Sequence, residues 1–247
     1  MAGRVAVVTG AGGAIGGAIA RRLAEDGFSV ATTDITGEVD FGCDVRREQD
    51  VLALREAVTA RLGPPWLLVN VAGVFFEHDV PDTTAEQFDL ISDVNVKGTF
   101  LTCKAFLPAM IAAGSGCIVN IASTAGLRGG QRRAIYNASK AAVVMFTRCL
   151  ALDHGPQGVR ANCVCPGLID TPMADWITSR PDALRAWEET IPARRIGTVD
   201  DIARAVSWLA SDEADYMHGA VMAGMPASAA AALVVPPIAP ERSLRIR

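Results

Sequence analysis

The strongest constraint on this chain lies at residues 9–16, T-G-A-G-G-A-I-G. The run follows directly on RVAVVT, residues 4–9, which is short, apolar and β-branched, as a buried parallel strand should be. It opens a helical stretch over 14–26, with Arg21, Arg22, Glu25 and Asp26 on the wet face and Gly27 at its end. A glycine turn between a strand and a helix lets a ligand approach backbone N–H groups that side chains would otherwise shield. The helix N-terminus adds a dipole that favours an anion. A glycine-rich connector without a ligand is the plain alternative; the strand before it and the helix after it favour a phosphate cradle built from Gly10, Gly13, Ala14, Ile15 and Gly16.

A second strand, FSVATTD, ends at Asp34, 18 residues beyond Gly16. A carboxylate there accepts hydrogen bonds from the hydroxyls of an adenosine ribose and repels a 2′-phosphate. No Lys or Arg lies in the glycine turn or directly after Asp34, so the pattern points to NAD rather than NADP. A surface or capping aspartate is the alternative.

Strand and helix then alternate. Strands are expected at FGCDV (41–45), WLLVNVAG (66–73), GCIVNIAS (116–123), VRANCVCPG (159–167) and GAVMA (219–223). Helices are expected over 46–61, 84–92, 94–113, 135–154, 181–190 and 199–211. Strands that are apolar on both faces need helices on both sides of the sheet. Right-handed crossovers then make a doubly wound α/β Rossmann fold with a mostly parallel sheet of about seven strands. Residues 1–225 are read as one such domain, with a substrate loop over about 168–196. Residues 226–247, rich in alanine and proline and ending in Arg242, Arg245 and Arg247, are read as an atypical tail. A loose or partner-packed tail is expected, because its prolines oppose a continuous amphipathic membrane helix.

Composition excludes several classes. The net charge of −4 opposes a general nucleic-acid binder. The longest apolar runs fall short of the 18 or so residues that span a bilayer. Cys43, Cys103, Cys117, Cys149, Cys163 and Cys165 form no C-x-x-C pair and do not cluster with His78, His154 or His218. Reduced, mostly buried thiols are expected rather than disulfides or a metal site, and with them a cytoplasmic address.

Of 23 basic residues only Lys97, Lys104 and Lys140 are lysines, and only Tyr136 and Tyr216 are tyrosines. Tyr136 and Lys140 nevertheless stand four apart in a helical segment, on one face. Chance gives such a pair about one time in forty. A free tyrosine, with a pKa of about 10, is too weak an acid to serve as a base at neutral pH. A nearby ammonium favours the phenolate. The alternative is an ordinary exposed pair. Ser123 closes the fifth strand, where parallel sheets place their ligands, and its hydroxyl suits a substrate carbonyl or alkoxide.

The chain resembles the short-chain dehydrogenase/reductase family over about residues 3–222. The resemblance is carried by T-G-A-G-G-A-I-G at 9–16, N-V-A-G at 70–73, Asn95 in N-V-K-G, Ser123, Y-N-A-S-K at 136–140, and Pro166-Gly167 with Thr171. It implies that Gly10 and Gly16 shape the phosphate turn and that Asp34 holds the adenine ribose. Asp44 and Val45 would lie beside the adenine. Asn70, Ala72 and Gly73 would line the cofactor cleft. Asn95, Ser123, Tyr136 and Lys140 would form a catalytic tetrad, with Tyr136 exchanging the proton, Ser123 on the substrate oxygen, Lys140 on the nicotinamide ribose and Asn95 holding a relay water. Pro166, Gly167, Ile169 and Thr171 would pack on the nicotinamide. The activity implied is hydride transfer between NAD(H) and a secondary alcohol or ketone, in a homo-oligomer of two or four copies. Two departures stand out: Ala14 replaces the middle glycine of the family's turn, and VMAGMPASAAA (221–231) replaces its usual Val-Asp-Gly-Gly-like ending. The nine residues between Asp34 and Asp44 hardly accommodate a helix.

Alternatives on the same residues are an NADPH-linked 3-oxoacyl-thioester reductase, which Asp34 opposes, and a silent NAD-binding sensor or scaffold, which the full tetrad opposes. Met173, Trp176, Ile177 and Trp187 either form a lid or pack the loop on the core. Phe75, Phe76 and His78 are expected at the pocket edge, with His78 a remote candidate for a second acid or base. Arg128, Arg132 and Arg133 are either a solvated charge run or an attraction for an anionic substrate.

Overall fold

The computed structural model describes residues 3–224. The tail expected over 226–247 lies outside the described residues. Seven strands form one sheet in the order β3-β2-β1-β4-β5-β6-β7, and every neighbouring pair is parallel. They are β1 (Val5–Thr9), β2 (Ser29–Asp34), β3 (Phe41–Gly42), β4 (Pro65–Asn70), β5 (Gly116–Ile121), β6 (Val159–Cys165) and β7 (Val221–Ala223). The chain winds outward from β1 to β3, then returns to lay β4 on the other side of β1. This reversal opens a crevice at the carboxyl ends of β1 and β4, the place where open α/β sheets bind ligands.

Alternate residues of each strand feed opposite faces. Ala6, Val8, Leu67 and Val69 pack with Ile19, Leu23, Ile202 and Val206, from α1 (Ala14–Glu25) and α8 (Val199–Leu209). Val5, Val7, Leu68 and Ile118 face the other way. They meet α2 (Glu48–Leu62), α4 (Thr99–Ala113) and α5 (Ala134–His154) through Leu54, Phe106, Met110 and Leu150. Every residue of β5 and β6 is buried, the polar Asn120, Arg160 and Asn162 included. As the short spacing implied, no helix separates β2 from β3.

Two local expectations are corrected. The sequence suggested a break near Asp93 between two helices. Instead α3 (Ala85–Ile91) runs into α4 through a π-helical turn, Ser92–Gly98, which carries Asn95. The continuous helical stretch Ala85–Ala113 is also long and apolar enough, by length and composition, to cross a membrane. Half of that window is buried in the protein, where α4 packs on β4, β5 and α2. The substrate loop holds a short helix the sequence did not suggest, α6 (Asp175–Thr178), before the expected α7 (Pro181–Thr190).

Candidate active site

The glycine turn is built by close approach. Gly10 has φ +66°, and a Cβ there would stand 2.6 Å from the Ala72 backbone nitrogen. A side chain at Gly16 would run into the Gly10 carbonyl. The two loops, 10–13 and 71–73, therefore lie against each other. Thr9 Oγ1 fixes them further by accepting the N–H groups of Val71 (3.1 Å) and Ala72 (3.3 Å). Helix α1 starts at Ala14 behind Gly13, with no side-chain cap and no acidic residue in its first turn. Its first N–H groups have no partner within the helix, and nothing anionic in that turn competes for them. That is the cradle a pyrophosphate fits, and Ala14 is accommodated as its first helical residue.

Asp34 stands at the carboxyl end of β2 and braces this turn. Its Oδ2 accepts from the Gly12 N–H (3.1 Å), and its Oδ1 from the Ile35 N–H (2.7 Å). Asp44 is occupied differently. Its carboxylate takes a fork of hydrogen bonds from Arg46, at 2.6–3.0 Å, and those bonds hold its carboxyl below the usual range. Val45 is buried against the π-turn; a side chain at Gly98 would lie 2.7 Å from its Cγ2.

Asn70, expected to line the cleft, turns its side chain into the core. Nδ2 donates to Asn120 Oδ1 (2.9 Å), and Oδ1 accepts from Thr102 Oγ1 (2.7 Å). Asn120 in turn donates to Thr147 Oγ1 (2.9 Å). This buried relay ties β4, β5, α4 and α5 together under the site. The cleft-facing residues of that loop are its backbone neighbours Val71, Gly73 and Val74.

The cleft has a volume of about 730 Å³ and is lined by Ser123, Tyr136 and Lys140 together with Pro166, Gly167, Ile169 and Thr171. Ser123 ends the β5 loop. Its Oγ accepts the Ala125 N–H (3.1 Å) and also hydrogen-bonds Tyr136. Burial pushes the Tyr136 hydroxyl pKa up from its ordinary value, while the Ser123 hydrogen bond and the Arg133 charge pull it down. Lys140 is buried, and burial pushes its ammonium pKa down to about 8. Its Nζ donates to the Ile121 carbonyl (3.0 Å) and lies 5.9 Å from the Tyr136 ring centroid. The sequence suggested that Lys140 would tune Tyr136; its Nζ lies beside that ring, and the Arg133 charge also acts on the same hydroxyl.

Asn95 is a clamp. Its Oδ1 accepts the Val74 N–H (2.8 Å), and its Nδ2 donates to the Val74 carbonyl (3.0 Å) and to Ser139 Oγ (3.0 Å). Ser139 passes the contact on to the Tyr136 carbonyl at 2.7 Å. A Cβ on Gly73 would stand 3.3 Å from both Asn95 Oδ1 and Lys140 Nζ. The π-turn thus fixes the loop after β4 relative to the helix that carries Tyr136. Sequence reasoning missed Thr9, Ser139 and Asn120, whose roles are visible only through partners distant in the chain.

On the substrate side, Phe75 meets the Tyr136 ring edge-on at 4.9 Å, and Trp176 meets Trp187 at 6.0 Å. Both tryptophans line the cleft. His78 hydrogen-bonds Gln87 on α3 at 3.3 Å and is absent from the cleft wall. Among the described residues no cluster of metal-ligating side chains occurs.

This fold and cleft define a nucleotide-dependent oxidoreductase of the doubly wound class. The chain belongs to the short-chain dehydrogenase/reductase family. Residues 10–224 match the family model described as enoyl-(acyl carrier protein) reductase. A 2-(R)-hydroxypropyl-CoM dehydrogenase of Xanthobacter autotrophicus is 38% identical over 239 residues, covering 89% of this chain and 96% of the relative. Dehydrogenase/reductase SDR family member 6 of Danio rerio is 35% identical over 233 residues, covering 88% and 94%. A crystal structure described as an NAD(P)-dependent gluconate 5-dehydrogenase of Beutenbergia cavernae, with NADP bound at low occupancy, is 33% identical with a TM-score of 0.84, covering 90% of this chain and 95% of that one. The family binds a nicotinamide cofactor, and its members here are dehydrogenases and reductases of small molecules.

Proposed function

We propose that this protein is an NAD-dependent dehydrogenase that interconverts a secondary alcohol and a ketone, with Tyr136 as general acid and base. The observation that carries the reading is the convergence of Ser123, Tyr136 and Lys140 on a cleft that Ile15, at the end of the phosphate turn, also lines. The relative named for a 2-hydroxypropyl group supports a secondary carbinol. A bound nicotinamide cofactor would supply the hydride acceptor or donor, and Gly10 to Gly16, Asp34 and Lys140 would hold it. Asp34 favours NAD, because its carboxylate faces the turn and is followed by Ile35 and Thr36 rather than by a cation.

In the direction of reduction, Tyr136 gives its hydroxyl proton to the substrate oxygen. Ser123 Oγ accepts the Ala125 N–H, and its one hydroxyl hydrogen turns from Tyr136 to that same oxygen when substrate binds. Lys140 holds its position through Ile121 and offers its remaining donors to a ribose hydroxyl. In the direction of oxidation, Tyr136 takes the proton. Asn95 acts through position, by holding Val74 and Ser139. A cytoplasmic homo-oligomer of two or four copies is the form in which we place this activity; light scattering on the purified protein tests the copy number.

The test is a screen of ketones and secondary alcohols monitored by NADH absorbance, repeated with NADPH. Tyr136→Phe is expected to lower turnover by about 10²–10⁴-fold while NADH still binds. Full activity in that variant would sink the mechanism. Faster turnover of 3-oxoacyl thioesters with NADPH would establish the reductase alternative, and NADH binding without turnover of any carbonyl would establish the sensor.

A further inference from the structure

Arg133 precedes α5 and stands three residues before Tyr136. It is not part of a solvated charge run: its side chain is 22% exposed. Its guanidinium carbon lies 4.6 Å from the Trp176 ring centroid and 5.5 Å from that of Phe75. Phe75 in turn packs edge-on against Tyr136. A cation is therefore stacked between two rings in the cleft wall, one ring away from the reacting hydroxyl.

Its polar valences are unfinished. Arg133 Nε is buried without a hydrogen-bond partner. Glu77 approaches the guanidinium at 4.0 Å, whereas a charge-assisted N–H···O bond is about 2.7–2.9 Å long. The other carboxylate in the cleft wall, Asp201, already accepts from Arg195, Arg204 and Thr198. A guanidinium in the cleft wall whose neighbouring carboxylate stands beyond hydrogen-bond range carries a standing cost, and an oxyanion that meets its terminal nitrogens from the cleft removes it. Flanking aromatic faces keep water away and strengthen such a pair.

We propose that Arg133 binds an anionic substituent of the substrate, a carboxylate or sulfonate, so that the enzyme acts on ketones or secondary alcohols carrying that group a short chain from the reacting carbon. This rests on the dehydrogenase reading above. The planar guanidinium fork suits two oxygens of one oxyanion, and Phe75 and Trp176 suit the apolar carbons between the anion and the carbonyl.

The experiment compares matched probes with the full chain and NADH: 3-oxobutanoate, its methyl ester, and 2-oxopropanesulfonate. The wild-type kcat/KM is expected to favour an anionic probe over the ester by tenfold or more, and the better anion distinguishes carboxylate from sulfonate. Arg133 also lowers the Tyr136 pKa, so its loss slows every substrate; the ratio of acid to ester is what reports recognition. In Arg133→Gln that ratio falls at least tenfold, mainly through KM, and Arg133→Lys recovers part of it. An unchanged ratio in Arg133→Gln, or a wild-type preference for the ester, overturns the proposal. If NADH binds but no carbonyl turns over, the dehydrogenase reading fails separately. The anion site is then read by tryptophan fluorescence as 3-oxobutanoate is titrated into the NADH complex. Saturation in the wild type that is lost in Arg133→Gln supports the site; its absence in the wild type overturns it.

Discussion

At the residue scale, the proposed chemistry rests on one hydroxyl pulled in opposite directions. Burial raises the Tyr136 pKa; the Ser123 hydrogen bond and the Arg133 charge lower it. Ser123→Ala removes one of the lowering contacts, so the Tyr136 pKa rises. Alcohol oxidation needs the deprotonated hydroxyl, and the rising limb of its pH–rate profile is expected to move to higher pH. Loss of a donor to the substrate oxygen adds a fall of about 10²–10³-fold in kcat. A fall in rate with no displacement of the limb would show that Ser123 touches substrate without tuning Tyr136. Tyr136 and Lys140 were legible because few residues of those types occur and they share a helix face, and Ser123 because it sits at a strand end that gives it a chemical use. Arg133 was not. Its neighbours Phe75 and Trp176 lie 58 and 43 positions away in the chain, and only the folded cleft separates it from the exposed Arg132. Asn70 misled in the opposite sense: the motif is real, but a buried amide must find partners, and Asn120 and Thr102 supply them inside the core.

At the element scale, the entry to α8 decides how the substrate side of the cleft is framed. Thr198 and Asp201 form a reciprocal cap, with Asp201 N donating to Thr198 Oγ1 (3.2 Å) and Thr198 N to Asp201 Oδ2 (2.9 Å). Arg195 adds bonds of 2.7 and 3.2 Å to the same carboxylate. These contacts, the Arg195 bond foremost, hold the Asp201 carboxyl well below the usual range. A depressed folded-state pKa gives stability that is present above the unfolded value, about 4, and is lost as pH falls through the folded one. Asp201→Asn is expected to cost about 1 kcal/mol at pH 7, or about 2–4 °C in Tm for a domain of this size. The deficit should shrink as the pH drops below 4. A deficit that is constant with pH would mean that the charge contributes nothing. The sequence signalled this helix through its acidic first turn and amphipathic spacing. It did not signal the π-turn at Ser92–Gly98. Gly98 closes the turn, but the residue that requires it, Asn95, is held by Val74 and Ser139 from other elements.

At the scale of the whole molecule, the alternation of apolar strands and amphipathic helices already implied one doubly wound sheet, and the strand order places its reversal between β1 and β4. The glycine turn, the 71–73 loop, Ser123 and the Pro166–Gly167 turn all leave the carboxyl ends of β1, β4, β5 and β6, so one dinucleotide would touch the ends of four central strands. A ligand held that way stabilises the folded sheet as a unit, because unfolding must release it. At a concentration about 100 times its Kd, a ligand adds about 2.7 kcal/mol to stability. For a chain of this length that is a rise of about 5–10 °C in Tm. NADH is expected to produce this shift, and NADPH at the same concentration a smaller one, because Asp34 would face its 2′-phosphate in the proposed binding mode. Asp34→Ala should bring the two shifts together by weakening the NADH effect and relieving the repulsion of NADPH. Thermal melts of wild type and variant with each cofactor make the comparison without any substrate. Equal shifts from NADH and NADPH in the wild type would remove Asp34 as the determinant of cofactor choice and would leave the phosphate turn as the part of the site that binds both.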